Sequence, residues 1–384
     1  MKNGIEKKII NGVLSCLPVV FFLCNFYRML TGSATLYIAS LFFAGAAGWF
    51  MVISIGITSR DKAEVMIFFA ALTGCSLVSF LFNHNASFLS VFQNFCLMGV
   101  SYLLLNNPPS IPVAALNYYA VALVLLSKMI TGVHSSIVLS SSSNYISVIL
   151  IMAAVVYYSV LERSGNKLRP ISFLPAIGCV LLSIWANGRS GIICSGILLL
   201  GVLFQYFINF AKMKNGAAIS VVFFVLAGIL MLVLFGLLYD RFDKFLISFK
   251  KEGMDNSARL HIWSDYINTT KKDLLYVLFG TPDYEVAALS NFEGNPHNSF
   301  FFLHMTHGLI GLLIILVYLI RAPFFYWKKK KYLHLTVFTA FILRAFFDKF
   351  AVMQYGMPIL LYILFYPSFY KGDVTFKKKT EAGN

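Results

Sequence analysis

Apolar runs of span length follow one another along nearly the whole of this 384-residue chain, separated by short polar breaks. About twenty apolar residues is the length an α-helix needs to cross the hydrocarbon core of a bilayer. In that solvent every backbone N–H and C=O must be paired within the segment, so such runs fold as helices and not as open sheet. Spans are expected near 10–30, 34–57, 65–83, 88–105, 113–132, 145–161, 171–187, 191–210, 217–239, 299–320, 335–352 and 354–370. The expected fold is therefore an all-α polytopic membrane protein of about twelve transmembrane helices. The breaks carry turn chemistry or charge, as in Ser59-Arg60-Asp61-Lys62, Asn106-Asn107-Pro108-Pro109 and Glu162-Arg163-Ser164-Gly165. Residues 1–384 read as one integral membrane domain, with a single long loop at 240–298 between the ninth and tenth spans.

With 59% hydrophobic and 12% charged residues, a soluble globular domain is excluded. A net charge of +15 would suggest a nucleic-acid partner in a soluble chain. Here the cations fall in the breaks, so they report orientation and no nucleic acid is expected. With the N-terminus inside, cytoplasmic segments hold Lys2, Lys7, Lys8, Arg60, Lys62, Arg163, Lys167, Arg169, Lys212, Lys214, Arg321, the lysine run at 328–331, Lys371 and the lysines at 377–379. Outer segments and adjoining helix ends hold Arg28, Lys128, Arg189, Arg344 and Lys349. Both termini are then cytoplasmic and the long loop faces outward. The apolar start after Lys7-Lys8 shows no small-residue cleavage site and is read as a first transmembrane helix and not as a signal peptide. The six cysteines all lie inside apolar stretches without metal-ligand spacing. Neither disulfide nor zinc is expected. No internal repeat and no low-complexity tract beyond the serines at 140–143 is found.

Three polar motifs stand at the expected outer face. In Asn187-Gly188-Arg189-Ser190-Gly191, Arg189 opens the eighth span, where the helix N-terminal amides lie beside its guanidinium and together suit an anion. A snorkelling arginine in a tight turn, with Ser190 as N-cap, fits the same residues. In the long loop, Leu260, Trp263 and Ile267 fall at helical spacing, so an amphipathic helix is expected to begin near Asn256 or Ser257 and lie on the surface. Arg259 then sits in a first turn, which disfavours a cation unless an anion joins it. A solvated helix face is the plain alternative, and His261 reads as a surface histidine. In Asn295-Pro296-His297-Asn298, the histidine stands at the mouth of a span and could accept a hydroxyl proton at neutral pH; an interfacial histidine without a role is the alternative. His304 and His307 are expected to pack against neighbouring helices. Arg344 and Asp348 are four apart on the eleventh span, a spacing suited to an ion pair within one helix, or to lining a shared cavity.

Taken in order, Arg189-Ser190 at a late span, Arg259 four residues before Trp263, Phe279-Gly280-Thr281, and Pro296-His297-Asn298 ahead of Gly308-Leu309-Ile310-Gly311 resemble the O-antigen polymerase and ligase family. The resemblance covers residues 185–315 by motif and the whole chain by topology. It implies a helix bundle related to the C-type membrane glycosyltransferases, acting on undecaprenyl-diphosphate-linked oligosaccharide repeat units at the outer face of the bacterial inner membrane. Similarity assigns Arg189 and Arg259 to diphosphate binding and His297 to catalysis. Asn298, Trp263 and Asp265 are further expected substrate contacts, and a chain-length regulator is a candidate partner beside membrane lipid. One departure is His307, where family members often carry an acid before the first glycine. The first outer loop, 31–34, also lacks the acidic residues that bind metal in many C-type enzymes. No metal or other cofactor is expected. Two guanidiniums would then stabilise the leaving diphosphate while His297 takes the acceptor proton, with Asp240, Asp243, Asp265 and Glu285 as alternative bases or sugar ligands. Polymerase and ligase both fit the residues, and polymerase is preferred as the activity found across more glycan pathways. A polysaccharide flippase is the reading from another class.

Overall fold

The fold is taken from a computed structural model, which describes residues 2–55, 60–83, 88–140, 142–166, 168–211, 228, 257–292, 294–352 and 354–370. Regular structure among these residues is entirely helical. In chain order the α-helices are α1 (Lys2–Thr31), α2 (Thr35–Ile55), α3 (Arg60–Asn83), α4 (Phe88–Asn106), α5 (Ile111–Ile130), α6 (Asn144–Arg163), α7 (Leu174–Trp185), α8 (Arg189–Ala211), α9 (Ser257–Thr270), α10 (Leu274–Phe279), α11 (Ser299–Lys328), α12 (Tyr332–Phe346) and α13 (Met357–Phe369). Eight of them, α1 to α6, α8 and α11, contain stretches long and apolar enough to cross a membrane, and three shorter apolar helices cover Pro170–Trp185, Tyr332–Phe346 and Met357–Phe369. This is an all-α polytopic membrane protein. The expected ninth span, 217–239, falls outside the described residues except for residue 228.

Two helices form the centre. Residues 146–161 of α6 are all buried, and α13 is buried almost throughout. Both are apolar on every face, as a helix surrounded by other helices must be. Around them, α2 packs on α4 through glycine: a Cβ on Gly48 would collide with the backbone of Gly99, and one on Gly99 with the carbonyl of Gly45. Such backbone-to-backbone approach is a route to helix association where lipid removes the hydrophobic drive. Trp49 closes the seam, donating from Nε1 to the Phe95 carbonyl at 2.8 Å and stacking on the Phe95 ring at 4.3 Å.

At one end of the bundle, which gathers the C-termini of α4, α6 and α11, two carboxylates tie helices together. Glu64 pairs with Arg321, and Glu162 accepts from both the backbone N–H and the ring of buried His334 at the start of α12. The opposite end gathers the starts of α6, α8 and α11 and the segment 347–356 between α12 and α13.

Two departures from a simple bundle shape that second end. The expected span 335–352 stops early, because α12 ends at Phe346 and Asp348 lies beyond its cap. The Asp348 carboxylate accepts the N–H of Lys349 at 2.9 Å, a local bond that competes with helix continuation. In α11, Gly308 breaks the helix with φ 65 and ψ −171. There α10 crosses it so closely that a Cβ on Gly308 would meet the Leu278 carbonyl and one on Gly280 the His304 carbonyl. The hydroxyl of Ser79 on α3 donates to Phe279 O at 2.8 Å and reaches Met305 O at 3.3 Å, satisfying backbone that the break leaves over.

Gly280→Ala and Gly308→Ala should therefore each cost at least about 1–3 kcal/mol, the usual cost of side chains forced into such backbone conformations. Thermal unfolding of the purified protein in detergent should show Tm lowered by several degrees. Gly12→Ala, in an exposed turn of α1 with nothing within 4 Å of the added carbon, should leave Tm unchanged or slightly raised.

Candidate functional site

Arg189 is presented by the tight junction of α7 and α8. Helix α7 ends in a Schellman motif: Gly188 N–H donates to Ser183 O at 3.2 Å and Asn187 N–H to Ile184 O at 3.0 Å, with Asn187 left-handed at φ 55. Gly191 sits where a Cβ would strike the Ser147 side chain, so α8 starts hard against α6. The half-buried guanidinium of Arg189 enters the site from this edge.

Arg259 comes from the first turn of α9, the helix expected from sequence. Its buried face is not the expected one. Ile262 and Tyr266 are buried and pack with Val286, Leu289 and Met305, while Leu260 and Ile267 are 56% and 40% exposed. Both faces of this short helix carry apolar residues, and tertiary packing selects the one bearing Ile262 and Tyr266. Trp263 lies between, its ring against Phe301 and Phe346 and its Nε1 donating to Pro296 O at 2.9 Å. Through that bond α9 fixes the residue before His297. Asp265 accepts the N–H of Ala288 at 2.8 Å and so pins the 3-10 turn Ala287–Phe292 beneath α9.

His297 is one of the few non-glycine residues with positive φ (50°), a conformation that histidine tolerates better than most side chains. Its N–H donates to Asn295 Oδ1 at 2.9 Å and its ring meets the face of Phe292 edge-on at 5.7 Å. Asn298, 2% exposed, caps α11: its Oδ1 accepts the N–H of Phe300 at 2.8 Å and of Phe301 at 3.2 Å. The oxygen of Asn298 is thus engaged in placing His297 at the helix mouth. Deeper in α11, His304 joins Tyr266 Oη at 2.5 Å and Val277 O at 2.9 Å, and His307 is buried beside Thr306. Both pack between helices as expected. His261 is exposed, as expected, and so is Glu285; Asp240 and Asp243 lie outside the described residues.

The segment after α12 completes the cluster. Arg344 is 1% exposed; its Nη2 donates to Asn144 O at 3.1 Å and lies 3.4 Å from Asp348 Oδ2. Among the described residues its Nε and Nη1 have no hydrogen-bond partner. Asp348 also accepts from Tyr145 Oη at 3.1 Å, and its carbonyl accepts from Ser299 Oγ at 2.5 Å. The i,i+4 pair read from sequence is present, but across a helix end and not within a helix.

Electrostatics brings these parts together. Burial lowers the pKa of Arg259, Asp348 raises it, and Arg344 and Arg189 lower it again. His297 is likewise held below its usual value, first by burial and then by Arg259, Lys349 and Arg344, with Asp348 opposing. Coulombic effects fall with distance, so Arg344 and Asp348 lie near both Arg259 and His297, Lys349 near His297 and Arg189 near Arg259. Arg189, Arg259 and His297 are the residues singled out by sequence as site candidates; Arg344 and Asp348 were read as an ion pair or as lining a shared cavity, through the rarity of charge inside apolar segments, and Lys349 and Tyr145 are additions. Chemically the site is an excess of fixed positive charge around a mostly neutral imidazole, suited to a multiply charged anion next to a group that loses a proton. No protein-family model matches the chain, and no curated protein sequence matches it.

Because Asp348 raises and Arg259 lowers the pKa of His297, neutralising each should move it in opposite directions. In Asp348→Asn the His297 midpoint should fall further, and in Arg259→Gln it should rise. Titration of the His297 ring carbon by NMR, with selectively labelled protein in detergent, reads both shifts.

Proposed function

We propose that this protein is a polysaccharide polymerase of the bacterial inner membrane. It transfers a growing glycan from undecaprenyl diphosphate onto the next lipid-linked repeat unit at the outer face, within a bundle of about twelve spans. The observation that carries this reading is the gathering of Arg259 and Arg344 around His297 and Asp348 at one end of the bundle, with Arg189 acting on Arg259. That end lies opposite the one bearing Arg163, Arg321 and the lysines at 328–331, and cations of this kind mark the cytoplasmic side. The oriented site therefore faces outward.

Transfer breaks the bond between the anomeric carbon and the diphosphate oxygen, while an acceptor hydroxyl forms the new glycosidic bond. Negative charge grows on the leaving diphosphate, and guanidiniums already fixed in place stabilise it without reorganisation. Arg344 offers Nε and Nη1, donors that no side chain of the described residues engages. Bidentate arginine suits phosphate oxygens better than lysine does. The hydroxyl proton passes to a base. Asp348 is engaged by Tyr145, Arg344 and its neighbour's N–H, whereas no hydrogen bond occupies the ring nitrogens of His297 among the described residues. Depression of its pKa keeps His297 unprotonated at neutral pH, so it is assigned as the base. Trp263, Asp265 and Asn298 act by holding Arg259 and His297 in register.

His297→Ala and Arg259→Ala should abolish polymer in cells while protein level and lipid-linked repeat export stay normal, read by glycan gel and by immunoblot. Normal polymer length in either variant overturns the assignment. A deletion strain should accumulate single-repeat material. Long polymer retained on the lipid carrier would instead identify a ligase that transfers finished chains to a lipid A core. With purified enzyme, a base of lowered pKa predicts a rate that is flat near neutral pH and falls in acid, as His297 gains a proton below about pH 6.5.

A further inference from the structure

Beside Arg189, and distinct from the charged cluster, the protein holds a cavity of about 290 Å³ lined by His134, Ser135, Ser136, Ser143, Trp185 and Asn187, with Ala186. We infer that this cavity is a subsite for one uncharged sugar ring of the lipid-linked glycan. The inference rests on the transferase reading above and extends it to a place for the carbohydrate.

The lining argues for this ligand class. No carboxylate or permanently cationic side chain lines the cavity, so an anion or a free cation finds no partner in it. It offers instead three hydroxyls, an amide and an imidazole, groups that both donate and accept, together with the indole of Trp185 and the methyl of Ala186. A pyranose ring presents that pairing in reverse, with hydroxyls around its edge and an apolar C–H face. The volume lies at the small end of the range for small-molecule sites, roughly 300–1,000 Å³, which leaves room for one ring and little more.

Several of these groups are not needed by the fold. Ser143 stands at the N-cap of α6 but makes no side-chain cap bond. His134 caps the short 3-10 turn Ser135–Ile137, its Nδ1 accepting the N–H of Ser136 at 3.4 Å and lying 2.7 Å from Ser136 Oγ. An imidazole that accepts at Nδ1 carries its proton on Nε2, which remains as a donor. Asn187 is exposed, and its left-handed backbone belongs to the cap of α7, so glycine would serve the fold equally well. The amide is what glycine would remove.

Position supplies the remaining argument. Two short segments wall the cavity and also build the charged cluster. Asn187 lies two residues before Arg189, and Ser143 directly precedes Asn144 and Tyr145, which bond Arg344 and Asp348. A sugar seated here is adjacent to the diphosphate-binding arginines and belongs to the same glycan whose reacting end lies at His297.

The test uses the full-length protein purified in detergent. The probe is the lipid-free repeat-unit oligosaccharide, released by mild acid from the source strain's lipid-linked intermediate. Binding is read by saturation-transfer NMR and by titration of tryptophan fluorescence. Wild type and Arg259→Ala should both bind the oligosaccharide, and Asn187→Gly should weaken it at least tenfold, with Ser136→Ala combined with Ser143→Ala acting in the same direction. With the lipid-linked donor and acceptor varied separately, Asn187→Gly should raise KM for one of them, identifying whose sugar occupies the subsite, whereas Arg259→Ala loses turnover. Absence of binding by wild type, or unchanged affinity in Asn187→Gly and in the double serine variant, overturns the subsite and leaves the transferase reading intact if ladders still form. Sugar binding lost in Asn187→Gly, with no ladder from wild type, upholds the subsite and overturns the polymerase.

Discussion

Asp348 meets several distant parts of the chain at one carboxylate and one carbonyl. Tyr145 from α6 and Arg344 from α12 reach its side chain, while Ser299 at the start of α11 reaches its backbone. A carboxylate almost removed from water costs several kcal/mol unless its oxygens are paired, so these bonds are the condition of its being there. They also decide where α6, α11 and α12 sit relative to one another at this end of the bundle. The same charge holds Arg259 and His297 in a field they could not otherwise share, because Arg344, Lys349 and Arg259 all oppose a proton on His297.

The two ends of the molecule handle charge differently. At the end carrying Glu64 and Glu162, the carboxylates link helices, Glu64 to Arg321 and Glu162 to the backbone N–H and ring of His334. At the Asp348 end, three cations and one carboxylate act on His297. The first contacts hold helices together; the second set leaves positive potential around His297 that a ligand of opposite charge can answer. Burial follows the same division of labour. Helices α6 and α13 are packed on all sides, whereas Arg189, Arg259 and His297 remain half-buried on the starts of elements that those helices support.

Much of this was legible in the residues because the governing rules are local. Span length and the charged breaks located α2 to α8 to within about five residues, since a bilayer imposes length directly, whereas α1 starts at Lys2 and α11 runs on to Lys328, beyond the expected 10–30 and 299–320. Arg189 and His297 were visible as polar residues at the ends of apolar runs, and Arg259 as a cation in the first turn of an expected loop helix. The apolar face of α9 was not. Its sequence has Leu260 and Ile267 on one side and Ile262 and Tyr266 on another, and only the position of Met305 and Leu289 decides between them. The end of α12 was missed for a related reason. An apolar run continues through Phe346 and Phe347, and the bonds that stop the helix come from Lys349, Tyr145 and Ser299, two of them distant in sequence. Periodicity cannot see a partner that arrives from another helix.

The meeting of Gly280 and Gly308 gives the site a mechanical reference. Neither backbone has room for one methyl group, and Ser79 bonds both sides of the contact. The two segments therefore cannot slide past one another by small amounts as ordinary side-chain packing would allow. Since α11 carries His297 at its mouth and α10 follows directly from the helix that carries Arg259, the seam works as a depth stop. It sets the height of the base against the height of the guanidinium and passes that registration on to α3.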